Sequence, residues 1–113
     1  MDDLDKGENY TVRDMKLADS GALLVDWARA RMPVLAKLKD EAERTKPLAG
    51  MRVAGCLHVT KETAVLIEAI RAAGAEISWS GCNPLSTQDE VAAWLASEGY
   101  SVHAWHGQST EDF

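Results

Sequence analysis

The stretch MRVAGCLHVTKETAVLIEAIRAAGAEISWS, residues 51–80, decides the fold because its hydrophobic periodicity changes twice. The apolar run over residues 51–57 is typical of a buried strand. A helical stripe follows, formed by Val65, Leu66, Ala69, Ile70 and Ala73. Gly74 then stands where a helix prefers glycine at its end, and residues 75–80 form a second apolar run. This strand–helix–strand order predicts two parallel strands with a right-handed crossover.

The same alternation continues toward the end of the chain. Ser86-Thr87-Gln88-Asp89 has the form of a capping box, so we expect Ser86 to cap a helix that ends at Gly99. Residues 100–105 form a third apolar run, and Ser109-Thr110-Glu111-Asp112 predicts another helix cap. The fold class expected is α/β, with a three-stranded parallel sheet of β-α-β-α-β order and strands near 51–57, 75–80 and 100–105.

The residues before this unit predict two helices over residues 10–50. Leu23, Leu24, Trp27 and Ala28 recur at helical spacing, and Pro33 suits the first turn of the second helix. Residues 46–50 interrupt the pattern and predict a linker. The acidic residues 1–9 predict a disordered terminus. The expected organisation is therefore a terminus over 1–9, helices over 10–50 and a partial α/β domain over 51–113.

Composition restricts the class of protein further. The chain has 113 residues, a hydrophobic fraction of 46% and a net charge of −6, which argues against a nucleic-acid partner. It contains neither a membrane-length apolar run nor a secretory signal pattern, so we expect a cytoplasmic protein without a membrane partner. Cys56 and Cys82 lack metal or redox spacing, and their place at the ends of apolar runs predicts small buried side chains. No metal site is expected.

Ligands of parallel sheets bind beyond the carboxyl ends of the strands. That rule selects three loops, at residues 58–63, 81–88 and 106–109. The first loop is the richest in polar side chains, and its candidate site residues are His58, Thr60, Glu62 and Thr63. His58 suits a general acid or base near neutral pH, and the hydroxyls suit a polar ligand. In the alternative interpretation Thr60 only caps the next helix, Glu62 only favours its dipole, and His58 is structural.

The second loop adds Ser86 and Gln88, whose polar groups could hydrogen-bond a sugar or a base. Its alternative is ordinary turn chemistry with a helix cap. The third loop predicts a surface turn. No G-x-G-x-x-G follows any predicted strand, so this stretch does not itself carry a dinucleotide site.

Two segments resemble a known family. GCLHVTKETAVL, residues 55–66, resembles the first signature of the S-adenosyl-L-homocysteine hydrolases, and CNPLSTQD, residues 82–89, resembles the segment that follows it. HAWHG, residues 103–107, also fits the family. The resemblance covers roughly residues 10–113 and implies the amino-terminal part of the family's Rossmann-like substrate-binding domain.

The resemblance implies an enzyme that reversibly hydrolyses S-adenosylhomocysteine to adenosine and homocysteine. A tightly held NAD oxidises the ribose 3′-hydroxyl, homocysteine is eliminated, water adds, and the ketone is reduced again. By position, His58 would transfer a proton near the 5′ carbon. Thr60, Glu62 and Thr63 would contact the nucleoside, and Ser86 and Gln88 would line its pocket.

The resemblance also implies an NAD-binding domain outside these 113 residues and a homo-oligomeric full-length enzyme, expected to be a tetramer. We therefore expect the isolated chain to be inactive and to retain no NAD. The competing hypothesis is a stand-alone α/β binding or assembly module that has lost the chemistry. The polar set of the first two loops favours the enzyme, because an assembly module need not keep it.

Overall fold

The computed structural model describes residues 4–83 and 85–109, which form a mixed α/β fold of five strands and four α-helices. In chain order the elements are β1 (Asp5–Lys6), β2 (Tyr10–Val12), α1 (Ala18–Ala30), α2 (Pro33–Thr45), β3 (Arg52–Cys56), α3 (Lys61–Ala72), β4 (Glu76–Ser80), α4 (Asp89–Ser97) and β5 (Ser101–His103). A 3₁₀ turn over Met15–Leu17 leads into α1. The helix cap predicted at Ser109–Asp112 extends outside the described residues.

The strands form a single sheet in the order β1-β2-β5-β4-β3. β3, β4 and β5 pair in parallel, β2 also pairs in parallel with β5, and β1 pairs antiparallel with β2. The sheet thus has five strands where the sequence predicted three. The additional strands hold only two and three residues, too few to produce a periodic pattern.

The amino-terminal region differs from the sequence prediction in two places. Residues 10–12, predicted as the start of a helical region, form β2, and α1 begins only at Ala18. Asp5 and Lys6 form β1, although the sequence predicted a disordered terminus over residues 1–9. The Asp5 carboxylate accepts a hydrogen bond of 2.7 Å from the Met15 backbone N–H. This contact joins β1 to the turn before α1.

The helical predictions near the sheet are confirmed at two positions that depend on backbone geometry. Pro33 occupies the first turn of α2, where its missing N–H leaves no hydrogen bond unmade. Gly74 follows α3 with a φ of +102°, a conformation that favours glycine. Both residues mark the boundaries that the sequence placed there.

The core lies between the helices and one face of the sheet. Val102 and Trp79 of the sheet pack in one cluster with Val25 of α1, Ile67 of α3 and Leu95 of α4. α1 and α4 approach closely at Gly21, where an added β-carbon would overlap the backbone carbonyl of Glu90. Glycine therefore lets α1 approach α4 at backbone distance.

The other face of the sheet presents exposed side chains, which are Arg52, Ala54, Cys56, Glu76, Ser78 and His103. β3 lies at the edge of the sheet, and only its alternate residues turn toward the helices. The sequence predicted a buried strand here, because its apolar residues do not reveal that one face is open. Cys56 on this face and Cys82 in the loop after β4 are free and exposed, not buried as predicted. Among the described residues, no helix is long and apolar enough to cross a membrane.

Candidate functional site

The carboxyl ends of β3, β4 and β5 lie along one edge of the sheet, and the loops that follow them meet there. The closest side-chain contact joins the first loop to the second: His58 Nδ1 lies 2.7 Å from Ser86 Oγ. His58 is exposed, so its imidazole is open to a ligand. Two of the predicted site residues from separate loops therefore form one polar pair.

Cys82 belongs to the same cluster, which the sequence did not predict. Its Sγ lies 3.8 Å from His58 Nδ1. The parallel register pairs Cys56 with Ser80, and continuing it by two residues sets Cys82 opposite His58. The Cys56 thiol donates to the Gly81 carbonyl at 3.4 Å, which also ties the first strand to the second loop. The parallel pairing of the two strands, extended into the loops, would thus have predicted that Cys82 lies beside His58.

The first turn of α3 is held by side chains from both loops. Thr60 Oγ1 accepts from the Thr63 backbone N–H at 3.3 Å, so Thr60 caps α3, and its contact with a ligand stays a prediction. Gln88 Oε1 accepts from the Lys61 backbone N–H at 2.8 Å, and the Gln88 backbone N–H donates to the Val59 carbonyl. Gln88 therefore docks the second loop onto the start of α3, a role that the sequence did not predict.

Ser86 does not cap α4, so that prediction was wrong. The residue before α4 is Gln88, whose side chain makes no capping bond there because it bonds Lys61 instead. Asp89, in the first turn of α4, accepts from the His106 backbone N–H at 2.9 Å. This bond brings the third loop against the second, while the Ser86 hydroxyl turns to His58.

Glu62 lies in the first turn of α3 with its side chain 51% exposed, and its carboxylate is 3.3 Å from Lys61 Nζ. Lys61 Nζ also lies 5.3 Å from the centroid of the Trp27 ring. The carboxylate expected to contact the nucleoside thus has an ammonium group beside it. No role was predicted for Lys61, although a lysine at the first position of a helix is unfavourably placed in the field of the helix dipole.

The third loop is not the simple surface turn that was predicted, because Gln108 is only 4% exposed. Thr87 is equally buried, and within the described residues neither its hydroxyl oxygen nor Gln108 Oε1 has a hydrogen-bond partner. A β-carbon at Gly81 would lie 2.8 Å from Gln108 Oε1 and 3.1 Å from Thr87 Oγ1. Glycine at this position lets the second and third loops pack closely.

The arrangement supports proton transfer at His58. If Nδ1 donates to Ser86, Nε2 of the neutral ring is left as a base, and once Nε2 has taken up a proton the imidazolium can return it as an acid. Nδ1–H donates to the serine oxygen in both states, so the same contact holds the ring in each. Among the described residues, no group of three or more His, Cys, Asp or Glu side chains is arranged to hold a metal ion.

The same loops do not fit a dinucleotide. The turn from β3 into α3 carries Leu57, His58, Val59 and Thr60 where a dinucleotide-binding turn has glycines that let the pyrophosphate approach. The start of α3 is occupied by the Thr60 and Gln88 side chains. We therefore assign no described residue of this turn to a bound NAD.

Known proteins match this chain over nearly its whole length. A model of the S-adenosyl-L-homocysteine hydrolase family matches residues 9–113. An adenosylhomocysteinase of Aeropyrum pernix is 52% identical over 106 residues, which cover 94% of this chain and 26% of that protein. One of Sulfolobus acidocaldarius is 49% identical over 105 residues, 93% of this chain and 25% of that protein.

A relative with a different name matches a similar share of this chain. An S-inosyl-L-homocysteine hydrolase of Methanopyrus kandleri is 46% identical over 108 residues, which cover 96% of this chain and 26% of that protein. The chain thus spans about a quarter of the length of these relatives.

Proposed function

Because this chain belongs to the S-adenosyl-L-homocysteine hydrolase family, we propose that it supplies part of the nucleoside site of an adenosylhomocysteinase. The full-length enzyme would reversibly hydrolyse S-adenosylhomocysteine to adenosine and homocysteine. NAD, held outside this chain, would supply the oxidation and reduction at the ribose. The proposal places the enzyme in the cytoplasm as a homo-oligomer, with a tetramer as the expected form.

The observation that carries this proposal is the contact between His58 and Ser86 across two loops. We propose that His58 transfers a proton near the 5′ carbon, where the bond to sulfur breaks and re-forms. The Ser86 hydroxyl would orient the imidazole through Nδ1 and leave Nε2 to face the substrate. General acid–base catalysis needs such a fixed ring, because proton transfer requires heavy atoms about 2.6–3.2 Å apart.

The remaining candidates would bind the nucleoside around this ring. Thr60 and Thr63 present hydroxyls 3.2 Å apart at the start of α3. Gln88 is fixed by its bond to the Lys61 N–H, and Glu62 extends from the first turn with an exposed carboxylate. We propose that these four side chains hold the ribose and the base through hydrogen bonds.

The open face of the sheet also supports a role as part of a larger domain. Parallel strands are usually covered on both faces, whereas here Ala54, Ser78 and their neighbours on that face are exposed. We would expect a stand-alone module either to cover this face of the sheet or to expose fewer residues on it. In the proposed full-length enzyme, further chain would cover this face.

The test is homocysteine release from S-adenosylhomocysteine by the full-length protein that carries this chain, with the 113-residue chain assayed in parallel. We expect turnover and bound NAD in the full-length protein, and neither in the isolated chain. Absence of turnover from NAD-loaded full-length protein would refute the proposed reaction. Bound NAD in the isolated chain would refute the proposal that NAD is held outside this chain.

A further inference from the structure

Two thiols lie on neighbouring parts of the sheet, at the edge that carries the candidate site. Cys56 is the last residue of β3, and Cys82 stands two residues after the end of β4. Both thiols are free and exposed. The parallel register sets Cys56 opposite Ser80, so Cys82 is its diagonal neighbour. The fold thus brings together two nucleophilic side chains that lie far apart in the sequence.

The two thiols are close but unbonded. Cys56 Sγ lies 3.4 Å from the carbonyl oxygen of Gly81, the residue that precedes Cys82 in the chain. An offset of two residues along a strand, combined with the spacing between paired strands, separates α-carbons by about 8 Å. A disulfide usually needs α-carbons about 4.4–6.8 Å apart. An approach of about 2 Å would therefore close the bond.

The loop after β4 is the part that can supply this movement. Cys56 is held by pairing within the sheet, whereas Cys82 lies beyond the last paired residue of β4. The Cys82 side chain contacts His58 Nδ1 at 3.8 Å, a long and therefore weak contact. Closing a bond to Cys56 would draw Cys82 away from His58 and shift the loop that carries Ser86.

We propose that Cys56 and Cys82 form a reversible disulfide that inactivates the candidate site under oxidising conditions. The oxidant is a small disulfide such as oxidised glutathione. The Cys82 thiolate attacks one of its sulfurs and releases one thiolate, and the Cys56 thiolate then attacks the Cys82 sulfur and releases the second. The chain loses two electrons and two protons, and the small disulfide becomes two thiols. Distorted geometry makes a disulfide more reducible, so the bond opens again in a reducing medium.

The bond would act on catalysis through the position of the His58 ring. Ser86 Oγ and Cys82 Sγ lie 2.7 Å and 3.8 Å from the same ring nitrogen, and both belong to the second loop. A misplacement of about 1 Å can lower a rate about 10²-fold. This step rests on the proposed function, because it takes His58 as the proton-transfer residue. Formation of the disulfide itself does not depend on that function.

The test treats the NAD-loaded full-length protein with oxidised glutathione and then measures the initial rate of adenosine release from S-adenosylhomocysteine. The initial rate is needed because the homocysteine product is itself a thiol that would reduce the bond. We expect the wild-type rate to fall about tenfold or more, and dithiothreitol to restore it. Peptide mass spectrometry should show the Cys56 and Cys82 peptides joined, with two hydrogen atoms lost and no glutathione retained.

Cys56→Ser is the matched variant, because a serine hydroxyl can still donate to the Gly81 carbonyl. It should keep the rate of the reduced protein and, after oxidation, retain glutathione on Cys82 instead of forming the internal bond. Oxidised wild type without joined peptides would overturn the disulfide. Joined peptides with an unchanged rate would overturn the inactivation and leave the nucleoside site intact. Reduced wild type without turnover would overturn the proposed function, while the peptide masses would still decide the disulfide.

Discussion

His58 Nδ1 and Ser86 Oγ lie 2.7 Å apart although 28 positions separate the two residues in the sequence. Parallel pairing of β3 with β4 creates this proximity, because it brings the loops that follow the two strands to one edge. The bond fixes the ring of an otherwise exposed histidine. In the neutral ring, a bond in which Nδ1–H donates to the serine leaves Nε2 without a proton, as a base.

Replacing His58 in the full-length enzyme should separate catalysis from binding. His58→Ala removes the proton-transfer group, so we expect turnover to fall by roughly 10²–10⁴-fold while adenosine affinity changes much less. Ser86→Ala keeps the imidazole but removes its partner, and its effect on turnover should be smaller. Steady-state rates of homocysteine release and equilibrium adenosine binding check both expectations. Unchanged turnover in His58→Ala would leave the histidine with a structural role only.

Glu62→Ala should weaken adenosine binding more than inosine binding. The carboxylate is expected to accept from the amino group of adenine, and loss of such a partner costs about 1–3 kcal/mol, or about tenfold or more in affinity. Hypoxanthine offers no amino group at this position, so its loss should be smaller. Calorimetric titration of wild type and variant with both nucleosides measures the difference. Equal losses for the two nucleosides would remove the base-reading role from Glu62.

Gly55→Ala should destabilise the fold next to the site. An added β-carbon would overlap the six-membered ring of Trp79, which is only 4% exposed. Overpacking of this kind costs about 1–3 kcal/mol. Ala54→Ser is the matched control, because the neighbouring residue points to the open face, and it should change stability by no more than about 0.5 kcal/mol. Urea unfolding of the two variants checks the prediction; equal stability would show that Trp79 moves aside freely.

Stability should fall at high pH through Tyr100. Burial raises the pKa of its phenol, while the nearby Arg71 guanidinium, 4.5 Å from the ring, opposes that shift. The folded chain therefore holds the phenolic proton more tightly than the unfolded chain does. Its contribution to stability is complete below the unfolded pKa of about 10 and is lost as the pH rises through the folded value. Urea unfolding at pH 9 and pH 11 should show this loss in wild type and a smaller one in Tyr100→Phe.

The parallel unit from β3 to β5 could be predicted from the sequence because each element repeats its apolar residues often enough to define a period. Val65 to Ala73 repeat with the period of a helix, and Gly74 and Pro33 mark helix boundaries through their backbone preferences. β1 and β2 could not be predicted this way. Their identity depends on pairing with each other and with β5, and contacts distant in sequence leave no local signal.

The position of the candidate site could be predicted from the sequence, but the contacts between its residues could not. The rule for carboxyl ends of strands selected the loops that contain His58 and Ser86. It did not predict that Gln88 would bond the backbone at the start of α3. It also did not predict that Ser86 would contact His58 instead of capping α4. Several polar side chains near the start of a helix could each bond its free backbone N–H groups, and only the three-dimensional arrangement determines which of them does.

The pairing of β2 with β5 also has a consequence for synthesis of the chain. Thr11 lies opposite His103, and their side chains meet at 3.1 Å although 92 positions separate them. During translation β2 can pair only with the two-residue β1 until nearly all of this sequence has left the ribosome. The amino-terminal strands and the apolar side of α1 thus lack the rest of the sheet for most of that time, and exposed apolar surface and unpaired strand edges favour aggregation in such an interval.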